Sequence, residues 1–209
     1  MSQTFQRFFL HVGCGSKHKD QTTAGFNTSE WKEVRIDIDQ NNHPDIVGKM
    51  TDMSTIPNGS VDAIFSSHNI EHLYPHEVPK ALAEFRRILK PDGFAIITCP
   101  DLQSVCSFVV DDRLTEIAYT SPSGPITPLD IIYGHRDSLA QGNLFMAHRC
   151  GFTQKVLLET LKDAGFVMIA SIRRAYPDFD LYALATQAAM PKSDLMALAA
   201  NHFPYPDVH

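Results

Sequence analysis

The chain has 209 residues, 44% of them hydrophobic and 20% charged, and a formal net charge of -6. That length favours one domain around one core, and an acidic chain without a dense Lys/Arg face argues against a nucleic-acid binder. Four cysteines without a CxxC pair provide no disulfide scaffold; with no secretory leader at the N-terminus and no run near the roughly 18 apolar residues of a membrane span, a cytoplasmic location without membrane partners is expected.

In chain order, residues 8–12 read as a short buried strand that ends in Gly13-Cys14-Gly15. The following stretch, to Trp31, is polar and glycine-punctuated with no helical period. A second strand is expected over 33–39, where Val34, Ile36 and Ile38 alternate. A short third strand follows over 45–50, a turn over 56–60, and a fourth strand over 61–67. Val78, Leu82, Phe85 and Leu89 fall at helical spacing, and Pro91 and Gly93 stop that helix. Residues 94–100 are too uniformly apolar for a half-exposed strand and belong in a sheet covered on both faces. The basic end of the preceding helix, Arg86 to Lys90, reads as a solvated helix end rather than a phosphate patch.

Residues 101–150 break the rhythm and read as a loop-rich insertion with at most a short helix. Thr153 then caps a helix with Leu157, Leu161 and Ala164 on one face and Gly165 as its stop. Residues 166–175 and 181–187 read as two strands, antiparallel because their link is too short for a parallel crossover. A tail at about 188–209 has helical spacing over 193–201, packed on the body or on a second copy of the chain. Strands alternating with helices describe one α/β domain.

The chemistry-bearing residues cluster at the carboxyl ends of these strands, where open α/β sheets bind ligands. Gly13 and Gly15 allow a ligand close to the backbone. Asp37 ends the second strand 24 residues after Gly13, near the roughly 20 that separate a glycine turn from a ribose-binding acid. Asp52, just past the third strand, can accept from an exocyclic amine, and Met53 can cover an aromatic ring. Ser67 and His68 leave the fourth strand at the same edge.

These residues, in this order, resemble the class I S-adenosylmethionine-dependent methyltransferases, close to the group called methyltransferase type 11. The stretch "LHVGCG" is similar to the family's glycine motif, "VRIDID" to its ribose motif, "DMSTIPNGSVDAIFSSHNIEHL" to its adenine motif and fourth strand, and "FRRILKPDGFAIIT" to its next helix and strand. The likeness covers about 8–100 and resumes over 148–166. It implies a Rossmann-like seven-stranded sheet in the order 3-2-1-4-5-7-6, strand 7 antiparallel, with helices on both faces. It also implies methyl transfer from S-adenosyl-L-methionine; the prolines, Tyr133, His135 and His148 of the 101–150 insertion point to a small or medium-sized acceptor. Gly13, Cys14 and Gly15 would face the methionine part, Asp37 the ribose, Ile38, Asp52 and Met53 the adenine, and Ser67 and His68 the methyl group. The sequence departs from the family at His11, where an acid is usual, at Ser16 and Lys17, where a third glycine is usual, and over 16–32, where no helix is evident.

His68, His72 and His76 are spaced by four, but Pro75 interrupts a continuous helix, and no partner has zinc-like spacing, so no metal is expected. His72 and His148 are candidate general bases; a core or helix-start histidine is the competing reading. Two other functions stay open: a silent cofactor-binding or scaffold protein of the same fold, and a nucleotide-dependent oxidoreductase. Against the latter, none of the six tyrosines has a lysine four residues on.

Overall fold

The computed structural model describes residues 7–204. Its elements are β1 (Arg7–Val12), β2 (Trp31–Asp37), β3 (Ile46–Val47), β4 (Val61–Ser67), α1 (Val78–Ile88), β5 (Leu89–Pro100), α2 (Leu102–Val110), β6 (Tyr119–Ser121), β7 (Gly124–Ile126), α3 (Pro128–Tyr133), α4 (Arg136–Ala140), α5 (Gln154–Asp163), β8 (Met168–Arg174), β9 (Asp180–Thr186) and α6 (Lys192–His202). Seven strands form one sheet in the order β3-β2-β1-β4-β5-β9-β8. All pairs are parallel except those of β9, which runs antiparallel to β5 and to β8. With β6 and β7 set apart as their own hairpin, this is the expected 3-2-1-4-5-7-6 order. Among the described residues, no helix is long and apolar enough to cross a membrane.

Two apolar layers cover the sheet. On one face α1 and α5 bury Leu82, Phe85, Ile88, Leu157 and Leu161 against Leu10, Ile64, Ile97 and neighbours. In α1 the buried positions are Val78, Ala81, Leu82, Phe85 and Ile88, spaced to form one helix stripe. On the other face Phe26, Trp31, Leu195 and Phe203 pack on Phe9, Phe65 and Phe94. That second layer contains α6 from the tail and the irregular segment after β1. Between β1 and β2 there is no α-helix among the described residues, only a single 3-10 turn at Lys19–Gln21. Phe26, stacked on Phe9 at 4.3 Å between ring centroids, supplies cover there instead.

Some local expectations differ from what is observed, among them the third strand, which spans only Ile46–Val47 of the expected 45–50. Strand β2 ends at Asp37 rather than 39. Strand β5 starts at Leu89 and contains Pro91; the pairing with β4 shifts register between Val61 and Ala63, so the stretch around the proline bulges out of the ladder. Residues 101–150 hold more regular structure than a loop-rich insertion. Asp101 accepts from the Gln103 N–H and caps α2, and a Thr127–Asp130 capping box starts α3. Val105, Phe108, Ala118, Ile126, Ile131 and Phe179 form a small apolar cluster of their own. The Ser, Gly and Pro residues that read as loop are the β6–β7 turn and the first turn of α3.

His202 ties α6 to the body. Its Nδ1 lies 2.7 Å from Thr23 Oγ1, and its ring sits 4.4 Å from that of Phe26. Burial, with the nearby Arg7 charge, lowers its pKa from 6.5 to about 4. The unfolded chain therefore binds a proton that the folded chain refuses between pH 6.5 and about 4, and stability falls as pH drops through that window. At about 1.4 kcal/mol per pH unit the full loss is roughly 3 kcal/mol. A His202→Phe variant that folds should show a flatter dependence of Tm on pH over this range in calorimetry.

Candidate functional site

A cavity of about 480 Å³ opens at the carboxyl ends of β1, β2 and β4. Its wall includes Gly13, Cys14, Gly15, Asp37, Ile38, Ser67 and His68, together with Asn143, Phe145 and Met146 from the 101–150 segment. Strand direction brings these residues together, because parallel neighbours present their carboxyl ends on one edge.

The two glycines have different reasons to be glycine. Gly13 has φ +60, and a Cβ there would lie 2.0 Å from Asn69 Oδ1. Asn69 is buried, and its amide donates to Val12 O at 2.8 Å and Ser67 O at 3.0 Å. The close approach at Gly13 is therefore made by a side chain of the protein, which ties the ends of β1 and β4 together. Gly15 has φ +54, and a Cβ there would meet nothing within 4 Å. Its open side is where a ligand can reach the backbone. Cys14 is buried, and burial pushes its thiol up to about 11, so it stays protonated near neutrality.

Asp37 holds the glycine loop from below. One carboxylate oxygen accepts the Gly15 N–H at 2.7 Å and the other the Asp39 N–H at 2.8 Å. Each oxygen retains acceptor capacity for a further donor. Ile38 follows, 42% exposed, which leaves an apolar surface for a flat ring. Asp39 is engaged elsewhere, accepting from Asn41 N at 2.9 Å at the start of a 3-10 turn. Arg35 fixes the loops on either side: its guanidinium donates to the carbonyls of Gly15, Lys17, Asn42 and His43 at 2.7 to 3.2 Å. His11 is on the cavity wall and pairs with Glu33 of β2 at 2.7 Å, while Glu33 itself lies farther back along the sheet, opposite Phe9, and is not part of that wall.

Two expected residues are turned away from the cavity. Met53 is fully buried in the core: its N–H donates to Glu84 at 2.7 Å and its carbonyl accepts from Arg87 at 2.8 Å, which clamps it to α1. Asp52 is exposed and accepts from Ser54 N at 3.2 Å. A turn closed by Asp52 N–H on Lys49 O at 3.0 Å presents Lys49, Met50 and Thr51 to the cavity in their place.

At the far end, the chain from 147 to 150 is stitched to residues 70–72. Arg149 N donates to Glu71 O at 2.8 Å, Arg149 Nη1 to His72 O at 3.2 Å, and Cys150 Sγ to Ile70 O at 3.3 Å. This brings His148 beside His72, with ring centroids 4.9 Å apart. His72 Nδ1 lies 3.1 Å from Ala147 O, and His148 Nδ1 lies 2.8 Å from Ile131 O. A carbonyl only accepts, so both Nδ1 atoms carry the proton, and a neutral ring leaves Nε2 with a free lone pair. Burial lowers the His148 pKa, favouring that neutral ring. His68 and His72 reach the cavity wall, as does Arg149.

Asn69, Glu33, Arg35 and Arg149 were not singled out by sequence reasoning. For Asn69 a signal existed, a short polar side chain two residues past a strand whose partner strand ends in glycine. The other three depend on which strands and loops become neighbours.

Residues 10–97 match the family described as the methyltransferase domain. A search of curated protein sequences finds no match. Similar solved structures include a SAM-dependent methyltransferase from Archaeoglobus fulgidus, 14% identical, with a TM-score of 0.55, covering 88% of this chain and 87% of that one. The PH0226 protein from Pyrococcus horikoshii OT3 is also 14% identical, with a TM-score of 0.60 over 88% of this chain and 83% of that one. The 1,6-didemethyltoxoflavin-N1-methyltransferase from Burkholderia thailandensis, solved with 1,6-didemethyltoxoflavin and S-adenosylhomocysteine, is 16% identical, with a TM-score of 0.56 over 88% and 72% of the two chains. At such identities the likeness is one of fold. Residues 10–97 match the methyltransferase-domain model, and the chain as a whole has the fold of the class I methyltransferases, with the sheet order 3-2-1-4-5-7-6 and its last strand antiparallel.

Proposed function

We propose that the chain acts as a single-domain methyltransferase that binds S-adenosylmethionine in the cavity at the ends of β1, β2 and β4 and methylates a small or medium-sized acceptor. The observation that carries this reading is the pairing of an open Gly15 backbone with the buried Asp37 carboxylate directly beneath it. Gly13, Cys14 and Gly15 face the amino-acid end, which approaches on the open side of Gly15, because the Gly13 and Cys14 N–H groups are spent on Ile36 O and the Gly15 N–H on Asp37. Asp37 accepts from the ribose hydroxyls, and Ile38 with the 49–51 turn flanks the adenine. Ser67 and His68 border the methyl group.

When bound, S-adenosylmethionine supplies a methyl group on an electrophilic sulfonium. What this chain contributes is orientation and exclusion of water. Asn69 keeps the glycine loop against β4, and Arg35 keeps it against the 40–43 turn. Phe145 and Met146 form the acceptor-side wall, so that the 101–150 segment decides what enters. A volume of about 480 Å³ suits small-molecule sites, which run from about 300 to 1,000 Å³. The neighbour from Burkholderia thailandensis was solved with a small acceptor of that kind. The chain's acidity speaks against nucleic acid as acceptor.

Calorimetric titration with S-adenosylhomocysteine and, separately, with NAD tests the proposal. Saturable binding of the former and none of the latter is expected. Preference for NAD would replace this function with a nucleotide-dependent oxidoreductase, and no binding of either would remove the cofactor site.

A further inference from the structure

Among the described residues, the buried side-chain polar atoms left without a hydrogen-bond partner are Ser66 Oγ and both carboxylate oxygens of Glu71. Glu71 is 1% exposed. A buried carboxylate without a well-formed hydrogen bond to either oxygen is costly, and proteins keep one where a cation or a set of donors faces it.

Three imidazoles face this one. One ligating atom from each of Glu71, His72 and His148 lies within 4.8 Å of the others. His68 Nδ1 stands 3.5 Å from Glu71 Oε1 on the cavity side. The Nδ1–H groups of His72 and His148 are held by the carbonyls of Ala147 and Ile131. Imidazoles that bind metals are oriented in this way, by a backbone carbonyl on the nitrogen that does not bind.

We propose that Glu71, His72 and His148 form a binding site for a divalent first-row transition metal ion of the zinc type, with open coordination positions toward the cavity. Two imidazoles and one carboxylate are a ligand set of catalytic zinc sites, whose remaining position goes to water or substrate. His72 and Arg149 stand on the cavity wall, so the open positions face the end where the acceptor enters, and an acceptor with an oxygen donor would coordinate there. Neighbours in sequence do not account for this site, since His148 comes 76 residues after His72 and the stitching of 147–150 to 70–72 brings it in. The metal site stands independently of the cofactor site.

Chelator-stripped full-length protein titrated with cobalt(II) tests the proposal by visible absorption and calorimetry, with zinc(II) as competitor. One cobalt ion per chain, visible d–d bands and displacement by zinc are expected. A His72→Ala/His148→Ala double variant should lose at least about 100-fold in affinity, and Glu71→Gln at least about tenfold. Circular dichroism checks that each is folded, and the single His148→Ala variant serves if the others are not. No stoichiometric cobalt in the wild type would overturn the site and leave Glu71 and its histidines as a proton-sharing cluster. Undiminished binding by the folded variants would overturn it too. S-adenosylhomocysteine titrated into the same samples keeps the two sites apart: cobalt without cofactor binding sinks the methyltransferase reading alone, and the reverse sinks the metal site alone.

Discussion

Asp37→Ala lowers the affinity for S-adenosylhomocysteine at least tenfold, measured by calorimetric titration. The carboxylate accepts the Gly15 and Asp39 N–H groups at 2.7 and 2.8 Å, and in the proposed complex it accepts from the ribose as well. Hydrogen bonds to a charged group are worth about 1.5–3 kcal/mol each, and about 1.4 kcal/mol is a factor of ten in binding. The substitution removes the ribose contacts and releases the loop that receives the amino-acid end, so the two losses fall on the same ligand. Asp37→Asn keeps the shape but offers one acceptor oxygen to two N–H groups, and an intermediate loss is expected. Asp39→Ala should change little, because Asp39 is occupied in capping its own turn. Asp52→Ala should also change little, since that side chain faces solvent. Melting temperatures separate a binding defect from a folding defect. Wild-type affinity in a folded Asp37→Ala protein would show that the ribose contact lies elsewhere.

Ending the chain after Gln187 costs more than about 4 kcal/mol of stability. Helix α6 buries Leu195, Ala199 and His202, and Phe203 follows it into the same layer. Leu195 and Phe203 alone contribute about 1.5–3 kcal/mol each by burial. The truncation also uncovers the layer built on Phe26 and Phe94, and removes the Asn201 carbonyl that accepts from Gly25 N at 2.7 Å. For a chain of this size about 1 kcal/mol shifts Tm by about 2–4 °C, so a fall of at least 8 °C or so is expected by calorimetry. Self-association of the truncated chain, read by light scattering, is the expected companion, because an uncovered apolar layer of this kind seeks a partner. An unchanged Tm and an unchanged size would show that α6 contributes nothing to this face.

The amino-acid sequence by itself determined the parallel strands and the edge at which they gather their ligands. Runs such as 8–12 and 94–100 are too apolar to be half exposed, and Gly13, Gly15 and Asp37 stand where local backbone rules put them, at strand ends. Such signals are short-range: a strand's period, a helix stripe such as Val78 to Ile88, a glycine turn. What spans the sequence was decided only in the tertiary structure. Met53 and the 49–51 turn exchanged places because Glu84 and Arg87, on a helix some thirty residues on, clamp the Met53 backbone. Gly13 is closely approached by Asn69, 56 residues away. Asp101 and Thr127 start helices in a segment whose turns and prolines masked its order. Histidines at 68, 72 and 76 read as an interrupted row, while the cluster that formed took Glu71 and His148 instead. Spacing along a chain reports on one element at a time, and a site assembled from several strands and a returning loop has no spacing to read until hydrogen bonds between those elements set it.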